Sequence, residues 1–104
     1  MSNWTEVAAV ADLFEGAGIC VTPHGHDIAL FSVDGEVLAI DNLCSHGNAK
    51  LCDGFMDGDH VECPFHQALF SLRDGSVACG PATEPVKSWP VKVEDGRVYL
   101  QLDA

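Results

Sequence analysis

Apolar residues in this chain recur in short runs separated by Asp-Gly pairs. The runs either alternate with polar residues or stay continuous, and a spacing of three or four is nearly absent. Ile28–Val33 and residues 36–40 flank Asp34-Gly35, and Val91–Glu94 and residues 97–102 flank Asp95-Gly96. Both read as tight hairpins, because glycine accepts the positive φ that such turns demand. Asp74-Gly75 stands likewise between residues 69–72 and Ser76-Val77. The last run alternates cleanly, with Val98, Leu100 and Leu102 on one face and Arg97, Tyr99 and Gln101 on the other. The other hairpins alternate less cleanly, as strands buried on both faces do. Helical signal is confined to residues 7–14, enough for a turn or two before Glu15-Gly16-Ala17-Gly18 stops it. Residues 41–64 have few strand-like runs, two close Asp-Gly turns (Asp53-Gly54 and Asp57-Gly58) and half of the Cys and His. The pattern predicts an all-β domain of short strands with a loop-rich insert, and an insert that long requires something to organise it.

Composition narrows the class. The 104 residues are 47% apolar and 20% charged, which fits one folded domain over residues 1–104 and leaves no room for a second catalytic module. Five Lys and Arg against sixteen Asp and Glu give a formal charge of −11. That charge argues against nucleic acid, since nothing here neutralises a row of phosphates, and against an anionic membrane surface. It favours a partner with a basic face, and self-repulsion favours a monomer. The N-terminal residues lack the basic and apolar regions of an export signal. Residues 28–40, the longest apolar stretch, are broken by Asp34-Gly35-Glu36 and cannot span a bilayer. The expected compartment is therefore the reducing cytoplasm, where grouped cysteines act as metal ligands or catalysts more often than as bridges. An odd count of five cysteines agrees.

The chemistry concentrates in Cys44-Ser45-His46-Gly47 and Cys63-Pro64-Phe65-His66, a C-x-H and a C-x-x-H separated by sixteen residues. Each loop offers one thiolate and one imidazole. Residues two apart in extended chain point the same way, so Cys44 and His46 can face one centre, and Cys63 and His66 can do so across a turn. Pro64 fixes φ there, and Gly47 permits close backbone approach. Structural zinc usually pairs like ligands, C-x₂₋₄-C with H-x₃₋₅-H, and a single intervening residue is tight for one tetrahedral ion. One [2Fe–2S] cluster with two Cys on one iron and two His on the other fits the spacing better, and zinc stays the alternative.

Those motifs resemble the Rieske-type ferredoxins of bacterial aromatic-ring-hydroxylating dioxygenases, such as the naphthalene and biphenyl systems. The resemblance extends over nearly the whole chain. It includes residues 28–40 leading through Asp41-Asn42-Leu43 into Cys44, then Gly54, Gly58 and Val61 ahead of Cys63-Pro64. It continues with Phe70, Gly75, Gly80-Pro81, Pro90 to Val93 and Gly96-Arg97-Val98. It implies a Rieske fold, in which an antiparallel β-sandwich base carries a small cluster-binding β subdomain, here about residues 42–84. A proline loop around Pro81 would help cover the cluster. It also implies a one-electron carrier rather than an enzyme, taking electrons from a flavoprotein, NAD(P)H-dependent ferredoxin reductase and passing them to a terminal Rieske oxygenase. Membrane-complex relatives carry an extra disulfide between the ligand loops, but this chain has Ala49 and Phe65 at those places. Gln67-Ala68 follow His66 where high-potential members place a serine hydroxyl beside a cluster sulfur. Without that donor the expected potential is near the low end of the Rieske range, about −150 mV.

Other readings are weaker. The small Rieske-like subunit of a nitrite reductase is a redox alternative, although some of those lack the four ligands kept here. A zinc-stapled interaction module would be colourless. A Cys–His nucleophile would need a pocket and an orienting third group, and a full oxygenase needs a second iron site that this length excludes. Cys20, Cys52 and Cys79 are left over, with Cys52 read as a small packed thiol. His24 and His26 fall at a hairpin tip and read as solvated, and His60 as a strand or turn residue near the surface. Trp4 and Trp89 read as core anchors. Asp53, Asp57, Asp59 and Glu62 form an acidic group, read both as a solvated face and as a docking patch near the ligand loops.

Overall fold

The computed structural model describes residues 4–43, 49–64, 68–79 and 84–102. Within these the chain is all-β, and its eleven strands form three antiparallel sheets. The first sheet orders β1 (Trp4–Ala9), β11 (Arg97–Gln101) and β10 (Val91–Glu94). The second orders β2 (Gly18–Val21), β3 (Ile28–Val33), β4 (Glu36–Asp41) and β9 (Ser88–Trp89). The third orders β5 (Phe55–Asp57), β6 (His60–Glu62), β7 (Leu69–Ser71) and β8 (Val77–Cys79).

The continuous apolar run in β3 has a direct structural cause. Its even residues Ile28 and Leu30 enter a core shared with Ala39, Trp89, Val98 and Leu100. Its odd residues Ala29, Phe31 and Val33 enter a second core with Ile40, Ala49, Leu51, Val61, Cys63, Ala68, Phe70, Leu72 and Val86. The middle sheet is thus apolar on both faces, with the first sheet over one face and the third over the other. Each fully buried Ile, Leu or Phe stabilises the fold by about 1.5–3 kcal/mol relative to exposure. In β11 only one face is covered, so Val98 and Leu100 are buried while Arg97 is exposed, as its alternation predicts.

The Asp34-Gly35 and Asp95-Gly96 hairpins form as expected, with all four residues at positive φ. Asp74-Gly75 differs. It closes a wider loop in which the Gly75 N–H donates to the Ser71 carbonyl (2.8 Å) and the Ser76 N–H to the Asp74 carboxylate (2.9 Å). The loop still joins antiparallel β7 and β8, and Asp53-Gly54 ends a single 3-10 turn at Leu51–Asp53. Residues 7–14 make one 3-10 turn, Val10–Asp12, after β1 has run on to Ala9. Val7 and Ala8 pack on the first core, so pairing with β11 overrides the weak helical signal. The insert also holds two strands, β5 and β6, each too short to show alternation. No helix among the described residues is long and apolar enough to cross a membrane.

Candidate metal centre

Of the four residues expected to bind metal, Cys63 is described; Cys44, His46 and His66 lie outside the described residues, as do Pro81 and the proline loop. The described chain defines how the segments carrying them are held. β4 keeps its inward parity through Leu38 and Ile40 to Asn42, the one buried polar residue among those described. Every polar group of Asn42 is used. Its N–H donates to the Asp27 carbonyl (2.9 Å), and its carbonyl accepts from the Leu51 N–H (2.6 Å). Its Nδ2 donates to Asp27 Oδ1 (2.9 Å), and its Oδ1 accepts from the Cys52 N–H (2.8 Å). Leu43 and Lys50 then pair across the gap. The two ends of segment 44–49 are therefore tied to each other and to the β2–β3 turn.

The second segment is closed as tightly. The Cys63 N–H donates to the Ala68 carbonyl (2.8 Å), pinning both ends of segment 64–67. Cys63 itself is fully buried in the second core with Ala49, Leu51 and Ala68. Gly54 brings the first segment's support against the second, since a Cβ there would strike the Glu62 carbonyl one residue before Cys63. Gly75 does the same for the chain at Val86, ahead of β9. At φ +76° its α-carbon faces the Val86 carbonyl, which a Cβ would strike, and its own carbonyl accepts from the Val86 N–H (2.9 Å). Gly54 is needed for space, and Gly75 both for space and for its positive φ.

The acidic group is divided. Asp59 accepts from Arg73 Nε (3.0 Å) and lies 2.8 Å from His60 Nδ1. The Arg73 guanidinium holds its carboxyl below the usual range and also reaches Glu36 (3.4 Å), joining the third sheet to the β3–β4 hairpin. Asp74 is likewise held low by its hydrogen bonds to Ser76. Asp53 and Asp57 are exposed and Glu62 is half-buried. Leu43, beside the first segment, is half exposed.

The remaining candidates sort as follows. His24 and His26 are exposed at a turn between β2 and β3, and His26 also meets the Trp89 ring edge-on at 5.1 Å. Trp89 is a core anchor, its Nε1 donating to Asp41 (2.8 Å) and Lys87 lying over its ring at 4.2 Å. Trp4 is half-buried with Lys92 over its ring at 5.2 Å. His60 is half-buried at the start of β6. Cys52 is half-buried against the second core and Cys20 is exposed on β2, and the two thiols meet, which the sequence did not reveal. Asn42 carried a readable signal: it falls on the inward parity of β4, where an unpaired amide could not stay.

The two motifs, whose flanking residues are tied together and of whose four candidate ligands Cys63 is described and buried, suit in their residue types a [2Fe–2S] group with unlike ligand pairs. The fold and the loops define the class. The Rieske [2Fe-2S] domain profile matches residues 3–90, and the chain belongs to that family. More particularly, it is 43% identical over 100 residues to the ferredoxin component of the naphthalene 1,2-dioxygenase system of Pseudomonas putida, covering 96% of each chain. The Sphingomonas yanoikuyae B1 ferredoxin superposes with a TM-score of 0.88 at 40% identity, over 92% of this chain and 95% of that one. A chain of the complex of reduced oxygenase and oxidized ferredoxin in carbazole 1,9a-dioxygenase follows at 0.87 and 35%, over 96% and 94%. A putative NADH-dependent nitrite reductase small subunit from Mycobacterium tuberculosis matches at 0.83 and 30%, over 93% and 92%.

Proposed function

We propose that this protein is a cytoplasmic one-electron carrier of an aromatic-ring-hydroxylating dioxygenase system, working between a flavoprotein NAD(P)H-dependent ferredoxin reductase and a terminal Rieske oxygenase. It is a component of that system and no catalyst on its own. The observation that carries this reading is the end-to-end match to a dioxygenase ferredoxin component at 43% identity. The nitrite reductase reading rests on a full-length match of lower identity. When bound, a [2Fe–2S] cluster supplies reversible storage of one electron.

The residues then take distinct parts. Cys44 and Cys63 would hold one iron and His46 and His66 the other, in a cluster-binding subdomain of about residues 42–84. Two thiolates leave the oxidised site neutral and reduction adds one charge, where four thiolates would start at −2. Asn42 and the Ala68 carbonyl fix the described ends of the ligand segments. Exposed Leu43 and the outward carboxylates of Asp53 and Asp57 suit brief docking with a basic partner.

The test is anaerobic stopped-flow. NADH and a ring-dioxygenase ferredoxin reductase should reduce the visible bands of the protein, and a terminal oxygenase should reoxidise it. Both rates should fall as salt shortens the Debye length to about 8–10 Å. Reduction by a nitrite reductase flavoprotein alone, with none by the dioxygenase reductase, overturns the reading.

A further inference from the structure

Cys20 and Cys52 come from elements that the Rieske ligand pattern does not use. Cys20 lies on β2, the edge strand of the middle sheet, and is exposed. Cys52 lies in the 3-10 turn Leu51–Asp53, which packs against β2. Ile19 and Val21 of β2 pack on the first core, so Cys20 lies on the opposite face of the strand, the side of the second core on which Cys52 rests, and the two thiols are neighbours. The Cys52 backbone is fixed independently by the Asn42 amide, and its side chain rests on the second core. Burial and the neighbouring Cys20 push the Cys52 thiol up to about 11, so Cys52 rests protonated at neutral pH.

The geometry points to Cys20 and Cys52 as an oxidation-sensitive latch that closes into a disulfide between the middle sheet and the foot of the first ligand segment. The oxidant is a low-molecular-weight disulfide such as oxidised glutathione. Exposed Cys20 attacks it as a thiolate, forming a mixed disulfide and releasing one glutathione thiol. Cys52, held beside it, then attacks the Cys20 sulfur, and the second glutathione leaves as a thiol. The two protein thiols lose two electrons and two protons, and the oxidant takes up both. Because Asn42 joins Cys52 directly to the chain that enters Cys44, the closed latch ties the first ligand segment covalently to the sheet below it.

The test uses the cluster-containing protein, oxidised glutathione and intact mass under denaturing, non-reducing conditions. The wild type should lose about 2 Da, two hydrogens, and keep no adduct. Cys52→Ser should stop at a glutathione adduct, and Cys20→Ser should keep its mass. The bridged protein should melt roughly 10 °C higher than its reduced form and release iron to a chelator more slowly. A wild type that accumulates a stable adduct, a bridge that still forms in Cys20→Ser through Cys79, or an unchanged melting midpoint overturns the latch. None of these readouts depends on electron transfer, so failure here is separate from failure of the carrier reading.

Discussion

The two ends of the molecule are built by different means. Around the first core, strands of four to six residues from β1, β10, β11, β3 and β4 are closed by two-residue turns, and β1, β10, β11 and β3 together with Val98, Leu100 and Trp89 need nothing beyond burial and ladders. Around the second core the third sheet's strands have three residues each. There the pins are single groups: Asn42, the Cys63 to Ala68 bond, and the close approaches of Gly54 and Gly75. Short strands of this kind are marginal alone. On the proposed reading the base is held by its own core, whereas the far end would be completed by a bound cluster.

Breaking that group should have the largest effect. Cys63→Ala is expected to abolish visible absorbance and to expose amides of β5 to β8 to hydrogen exchange, while β1, β10 and β11 stay protected. Uniform loss of protection in both regions would erase the contrast. Next comes Asn42→Ala, which strands the buried Cys52 N–H and unties Asp27, at a cost of about 2–4 kcal/mol by denaturant titration. Glycine replacements sharpen the comparison further. Gly75→Ala places a Cβ on the Val86 carbonyl and should cost roughly 2–3 kcal/mol, against about 1 kcal/mol for Gly96→Ala in the base, where the space is open and only positive φ resists.

The smallest effect concerns acid. Asp59 is held low by Arg73, so its contribution is complete above the ordinary aspartate value and is lost as pH falls below about 4 and through the folded value. Asp59→Asn should flatten that part of the stability profile and leave neutral pH nearly unchanged, because the pair is exposed.

Much of this was legible in the chain. Alternation in residues 97–102 and continuity in Ile28–Val33 told one-sided from two-sided burial, and both hold. Positive-φ glycines at Gly35 and Gly96 were readable because a two-residue hairpin leaves no other choice. The close approaches at Gly54 and Gly75 are hidden for the opposite reason: a carbonyl from another segment sets them, which no local pattern carries. The Cys20–Cys52 meeting is hidden in the same way, since thirty-odd residues separate two thiols that only the packing of a turn on β2 joins. The strands in the insert, three residues each, fall below the length at which period two can be seen.

Unlike ligand pairs gripping one two-iron group is the claim on which the carrier reading stands. Electron paramagnetic resonance of the dithionite-reduced, anaerobically isolated protein tests it directly, with iron, sulfide and zinc assayed on the same sample. A rhombic signal whose average g lies below that of four-thiolate ferredoxins, with two irons and two sulfides per chain, is the predicted result. A silent spectrum with one zinc per chain, or a four-thiolate signal, contradicts it.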